Sequence, residues 1–203
     1  MKEFIEVPPT RLSITQRKLV LGHGINDADY VTNIKIDGKR RECPFYQRWK
    51  NMLMRCYDPK FHVSKPTYKG CTVCNEWLTF SNFKRWMIKQ DWKGKQLDKD
   101  LLIKGNKIYG PDKCVFVSSR VNSLLSDSAA IRGKYPIGVF KHSVNNSFIA
   151  KCKVNGKNIH IGSFSSPDVA FDAYKKFKSD RIREIASTLE EPVRSALLSR
   201  VYD

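Results

Sequence analysis

The dipeptide Asn155-Gly156 constrains this chain more than any other feature. It separates two runs of alternating apolar and polar residues, 147–154 and 158–164. Asn-Gly in that setting is a two-residue hairpin turn, because both central positions need positive φ and these residues tolerate it. A third run, residues 138–142, precedes them across Asn145-Asn146, so a three-stranded antiparallel sheet is expected. One face of such a sheet needs a cover. Ser166 supplies a helix cap, Pro167 a first helical position and Asp168 a first-turn acid. Val169, Ala170, Ala173, Tyr174 and Phe177 give that helix an apolar face. Alternation then turns Ala150 and Cys152 towards the helix and Lys151 and Lys153 away from it.

Upstream the composition shifts. Serines, alanines and a glycine between Ser126 and Gly133 read as a linker. Before it, residues 95–125 read as strand, loop, strand and helix. The first strand covers residues 96–100 and ends at its acids, Asp98 and Asp100. Gly105-Asn106 and Gly110-Pro111 are turn signals around Ile108-Tyr109. Val115, Phe116 and Val117 form the returning strand, and Ser118 or Ser119 caps a helix carrying Asn122. Earlier still, Phe45, Trp49, Met52, Leu53 and Cys56 share one face of a helix opened by Pro44. A loop is expected through His62 to Gly70, then a second helix over residues 81–90. The aromatic residues around that helix, Trp77, Phe80, Phe83 and Trp86, are read as packing rather than base-stacking platforms. Residues 1–20 read as an arm with one short strand, and Asp37-Gly38 as the turn of a loose hairpin. His23, between Gly22 and Gly24, is a turn residue on this reading. The end of the chain carries a stripe of Val193, Ala196, Leu197 and Val201, which predicts a short helix that docks on the domain.

Charge narrows the partners. The 203 residues carry a net charge of +17, which favours a polyanion, by attraction and by counterion release. Between Arg132 and Ala186 eleven Lys or Arg face four Asp or Glu. A hydrophobic content of 41% suits a folded chain rather than a disordered one. No apolar run reaches the ~18 residues of a membrane span, and the first residues lack a signal-peptide pattern. The six cysteines are therefore expected as reduced thiols in a cytoplasmic setting.

Two clusters could carry chemistry. Asp98, Asp100 and Asn122 offer hard oxygen ligands suited to magnesium or manganese beside a phosphate; aspartates also end many strands and turns. Cys71 and Cys74 have zinc-ligand spacing, which Cys56 and Cys114 would complete. No second paired motif exists and Val73 reads as a core-facing strand residue, so buried thiols are preferred to zinc.

Residues 45–125, with YQRWKNMLMRCYD, TYKGCTVCNEWLTFSNF, LDKD and GNKIYGPDKCVFVSSRVN, resemble the HNH endonucleases encoded by bacteriophages, many of them free-standing homing enzymes. The LGHGINDADY stretch resembles the leader of such proteins. The resemblance implies that Asp98 and Asn122 bind one divalent ion, Mg²⁺ or Mn²⁺, and that Asn106 orders the loop between the strands. It also implies a general-base histidine where this chain has Lys99. A protonated lysine cannot accept a proton. Asp100 takes over as base, or burial deprotonates Lys99, or the site does not cut; His62 and His23 are the histidines that could approach. Residues 135–177 resemble the apetala or ethylene-response-factor DNA-binding domain, through Gly138-Val139, Ala150, Gly162, Phe164, Ala170 and Ala173-Tyr174. That implies a sheet lying in the major groove, with Lys141, His142, Lys151, Lys153, Lys157 and His160 at the DNA; Lys104 and Lys107, in the earlier lysine- and glycine-rich loop, are also expected to bind DNA. Lysines stand where that family favours arginines and tryptophans, and lysine is the poorer bidentate reader of bases.

The expected chain is α+β. It has an arm and hairpin (1–40), an HNH-like ββα-metal domain with supporting helices (41–127) and a linker (128–134). An ethylene-response-factor-type domain (135–187) and a short C-terminal helix (188–203) follow. The expected function is a monomeric, metal-dependent endonuclease acting on double-stranded DNA in a bacterial host cell's cytoplasm. The competing expectation is a DNA-binding regulator with a silent site. Deleting everything after Gly133 is expected to cost specificity more than cleavage chemistry.

Overall fold

The computed structural model describes residues 4–125, 133–154 and 156–202, an α+β chain of short sheets and helices. It groups into two compact units, Met1–Lys93 with Lys104–Phe116, and Gly94–Ile103 with Val117–Asp203. Residues 126–132, most of the expected linker, lie outside the described residues.

In the first unit, helix α1 (Arg11–Thr15) stands where a strand is expected. Thr10 explains it: its hydroxyl accepts from Ser13 N at 3.1 Å and caps the turn. Strands β1 (Asn33–Ile36) and β2 (Lys39–Glu42) form the hairpin, with φ of 51° at Asp37 and 73° at Gly38. Both central residues are left-handed, as the twist of a tight hairpin demands. Helix α2 (Pro44–Tyr57) buries Tyr46, Trp49, Met52, Leu53 and Cys56; Phe45 sits half-buried on its flank. The expected loop after it holds a one-and-a-half-turn helix, α3 (Pro59–Ser64), because Asp58 caps Lys60 N at 2.8 Å and Pro59 fits the first position. Strand β3 (Thr72–Val73) follows, then helix α4 (Phe80–Ile88). Trp49, Trp77, Phe80, Phe83 and Met87 are sealed from solvent, and Trp49 Nε1 donates to Trp77 O at 2.7 Å. The aromatic residues are packing. Strand β5 (Ile108–Tyr109) belongs to this unit and pairs in parallel with β3.

The second unit begins with β4 (Gln96–Asp98) and resumes at the last residue of β6 (Val115–Val117). β4 stops two residues earlier than expected, because Asp98 Oδ1 accepts from Asp100 N at 2.8 Å and Leu101 N at 2.7 Å. Those two bonds close a turn that strand pairing cannot share. Helix α5 (Ser119–Leu125) follows. Strands β7 (Val139–Lys141), β8 (Phe148–Val154) and β9 (Lys157–Phe164) make the antiparallel sheet in the order β7-β8-β9. Helix α6 (Pro167–Ala186) covers it, with Ser166 Oγ accepting from Val169 N at 3.3 Å. Ala150 and Ala170 are both fully buried, so helix and sheet approach closely where neither carries more than a methyl group. Tyr174 fills the space beside them and lies against Gly138, whose φ is +78°. Helix α7 (Val193–Leu198) docks on α6 through fully buried Leu197, and Tyr202 N donates to Ser179 Oγ at 3.1 Å.

Candidate metal centre and nucleic-acid interface

The centre is built on one face of β4, in the second unit. Leu97 is buried, so alternation puts Gln96 and Asp98 together on the other face. Opposite them, Ser118 caps α5 by accepting from Val121 N at 3.3 Å, and its carbonyl accepts from Asn122 N at 3.0 Å. One turn in, Asn122 Nδ2 donates to Gln96 Oε1 at 2.6 Å. Gln96 Nε2 in turn donates to Ser119 Oγ at 3.3 Å. Asn122 is thereby delivered to the strand one alternation from Asp98, about 7 Å along it. Gln96 is the residue that sequence reasoning missed. Its signal was its place two positions before Asp98 on the same strand face.

The turn after β4 is held twice. From within, both bonds to Asp98 Oδ1 fix it, while Oδ2 accepts nothing from the described residues. From the C-terminus, Arg200 Nη2 donates to the carbonyls of Asp100 at 2.6 Å and Leu101 at 2.9 Å. Lys99 is 5% exposed, and its ammonium donates to Asp100 Oδ2 at 2.6 Å. Asp100 accepts from Lys99, which leaves Asp98 and Asn122 as the oxygen donors on the Gln96 face among the described residues. An Asp carboxylate oxygen and an Asn carbonyl suit one Mg²⁺ or Mn²⁺ that keeps most of its waters. Among the described residues no group of three or more His, Cys, Asp or Glu side chains gathers as a metal cluster.

Three of the four histidines make bonds within their own loops and helices. His23 bonds Leu21 O and stacks on Tyr57 with ring centroids 3.8 Å apart, and His62 Nε2 bonds Arg55 O at 2.8 Å. His142 Nδ1 accepts from Val144 N at 3.2 Å. In the first unit Asn106 bonds Ile108 through both side-chain atoms, at 2.7 and 3.0 Å, and so shapes the approach to β5. Lys107 donates to Thr67 O at 2.7 Å, which commits it to that unit's own backbone, whereas Lys104 is exposed. Cys56, Cys71 and Cys114 are buried and Cys74 is half-buried. Val73 is buried on β3 as expected.

On the sheet, register decides which basic residues share a face. Val139 pairs with Ala150 on the helix side, so Phe140 and Ile149 point outward together. Lys151 pairs with His160 and Lys153 with Asn158, both outward. The partner of β8 jumps between Ala150 and Lys151, leaving Ile161 as an extra residue packed on the core. The outward face therefore carries Lys151, Lys153, His160, Asn158, Ser163 and half-exposed Phe140, with Lys151 Nζ 6.0 Å from the Phe140 ring centroid. Lys141 and Lys157 register with Phe148 and Val154 on the helix side, at the strand ends. Of the six expected contacts, register places Lys151, Lys153 and His160 on the outward face. Cys152 is buried beneath them, and burial pushes its thiol up, against the pull of Lys178 and Arg181. Comparison with protein-family models, curated proteins and solved structures finds no match to this chain.

Proposed function

We propose that this protein binds double-stranded DNA through the outward face of β7–β9 and hydrolyses it, as phage HNH endonucleases do, at Asp98 and Asn122. In this reading residues 41–127 are of HNH type and residues 135–187 of ethylene-response-factor type, acting as a monomer. The observation that carries it is Gln96: it holds Asn122 on the strand face that ends in Asp98. Asp98 Oδ2 and the Asn122 carbonyl would hold a divalent ion, which when bound polarises the scissile phosphate and stabilises the departing oxygen. Lys99 is committed to the Asp100 carboxylate at 2.6 Å rather than to an attacking water. Asp100, whose side chain is 52% exposed, is the neighbouring base that would take the proton of the attacking water. The lysines of the sheet neutralise backbone phosphates and position the duplex.

A second reading, a DNA-binding regulator with a silent site, is favoured by the same Lys99–Asp100 pair, since it ties up the carboxylate next along the turn from Asp98. Supercoiled plasmid incubated with Mg²⁺ or Mn²⁺ separates them. Nicked or linear product that disappears in Asp98→Ala and Asn122→Ala supports the nuclease. Tight binding with no cleavage under either metal leaves the regulator.

A further inference from the structure

The outward face of the sheet continues into a cavity. β7 pairs only with Phe148, Ile149 and Ala150, so β8 runs on with an open edge. Across the last step Lys151 N donates to Gly138 O at 2.8 Å. Backbone N–H directions alternate along a strand, so Lys153 turns its N–H to that same edge, beyond the reach of β7. Helix α5 packs against this part of the unit, on β8 and α6. A pocket of about 210 Å³ lies there, lined by Ser123, Lys151, Lys153, Asn158 and Lys178, with Leu124 and Tyr174 among its apolar walls. Among the described residues none of those lining it is acidic. Lys178 is 8% exposed, with its Nζ 5.6 Å from the Tyr174 ring centroid and 5.9 Å from that of Tyr202. Three lysines, a backbone N–H, an amide and a hydroxyl lining one cavity are the donor set of a tetrahedral oxyanion, and burial at Lys178 strengthens the contact there.

We infer that this pocket binds a phosphate group. The phosphate comes from the backbone of a bound duplex or from a free phosphate monoester, and the DNA-binding reading matters only for that choice. With a duplex, the consequence is geometric. Ser123 lines the pocket and its neighbour Asn122 bonds Gln96, so one helix would hold a backbone phosphate and the candidate ligand at a fixed spacing.

The test is an amide-resolved NMR titration of the full chain with inorganic phosphate, against chloride at matched ionic strength, and then with a short duplex. Saturable shifts at Ser123, Lys153 and Asn158 that chloride does not produce are expected. Lys153→Glu, on the exposed side of the pocket, should weaken them at least tenfold, and Lys178→Met should do the same if it folds. A duplex that moves the same amides and competes with phosphate identifies the backbone as source. A duplex that binds without moving them, while phosphate still does, identifies a free monoester. Phosphate binding with no duplex binding supports the pocket and sinks the DNA reading. Shifts that are absent, or equal for phosphate and chloride, overturn the inference.

Discussion

Removing the Arg200 side chain tests whether the C-terminus supports the candidate centre. Arg200→Ala deletes two charge-assisted bonds to the carbonyls of Asp100 and Leu101, 2.6 and 2.9 Å long. Hydrogen bonds to charged groups contribute roughly 1.5–3 kcal/mol each when shielded, and solvent reaches the Asp100 bond, so about 2 kcal/mol is expected in total. In a chain of about 200 residues that lowers Tm by about 4–8 °C. The loss is local as well as global: the Leu101 amide, donated to Asp98 Oδ1, should exchange faster while amides of the sheet keep their relative order. Plasmid cleavage should fall with DNA affinity unchanged, and Arg200→Lys should recover part of it. Unchanged Leu101 exchange and an unchanged Tm would refute the reasoning. The same bonds revise the expectation for a truncation after Gly133, which removes Arg200 and so damages the centre as well as specificity.

Gly138→Ala places a methyl 2.2 Å from Tyr174 Cδ2 at a φ of +78°; left-handed strain and overpacking together cost about 2–4 kcal/mol, read by denaturant unfolding, and a change near zero would mean the helix is not seated as described. Lys151→Ala and Lys153→Ala should each lower the salt slope of duplex binding by about 1, while Lys157→Ala, on the other face, leaves it unchanged. Burial, as the first cause, raises the hydroxyls of Tyr109, Tyr30, Tyr46 and Tyr57 above their ordinary value. Folded and unfolded chains both keep these protons below pH ~10; above it only the unfolded chain releases them, so stability falls by up to about 1.4 kcal/mol per pH unit per buried tyrosine. Tyr109→Phe should flatten that alkaline slope in a pH series of denaturant unfolding; an unaltered slope would mean its hydroxyl reaches solvent.

Local signals were enough for the second half of the sheet and its helix. Ser166-Pro167 and the alternation of Ala150 and Cys152 with Lys151 and Lys153 act within a few residues, and the cap and the facing of the strands follow from them, while Asn155 of the expected turn lies outside the described residues. The same holds for Asn122 on a helix and Asp98 on a strand, although that strand stops two residues short of the expected Asp100. Short-range competition was harder to read. Thr10 and Asp58 capped helices in stretches that look like strand or loop, because one side-chain bond outweighs weak propensity over five or six residues. What only the tertiary structure decided lies at long separation: Gln96 taking Asn122, Lys107 spent on Thr67 and Arg200 clamping a turn 99 and 100 residues away. So does the grouping of Gly94–Ile103 with the C-terminal unit. Alternation and caps repeat along the chain and leave a pattern in it. A guanidinium or amide that finds a distant carbonyl leaves none, since its partner is chosen by packing.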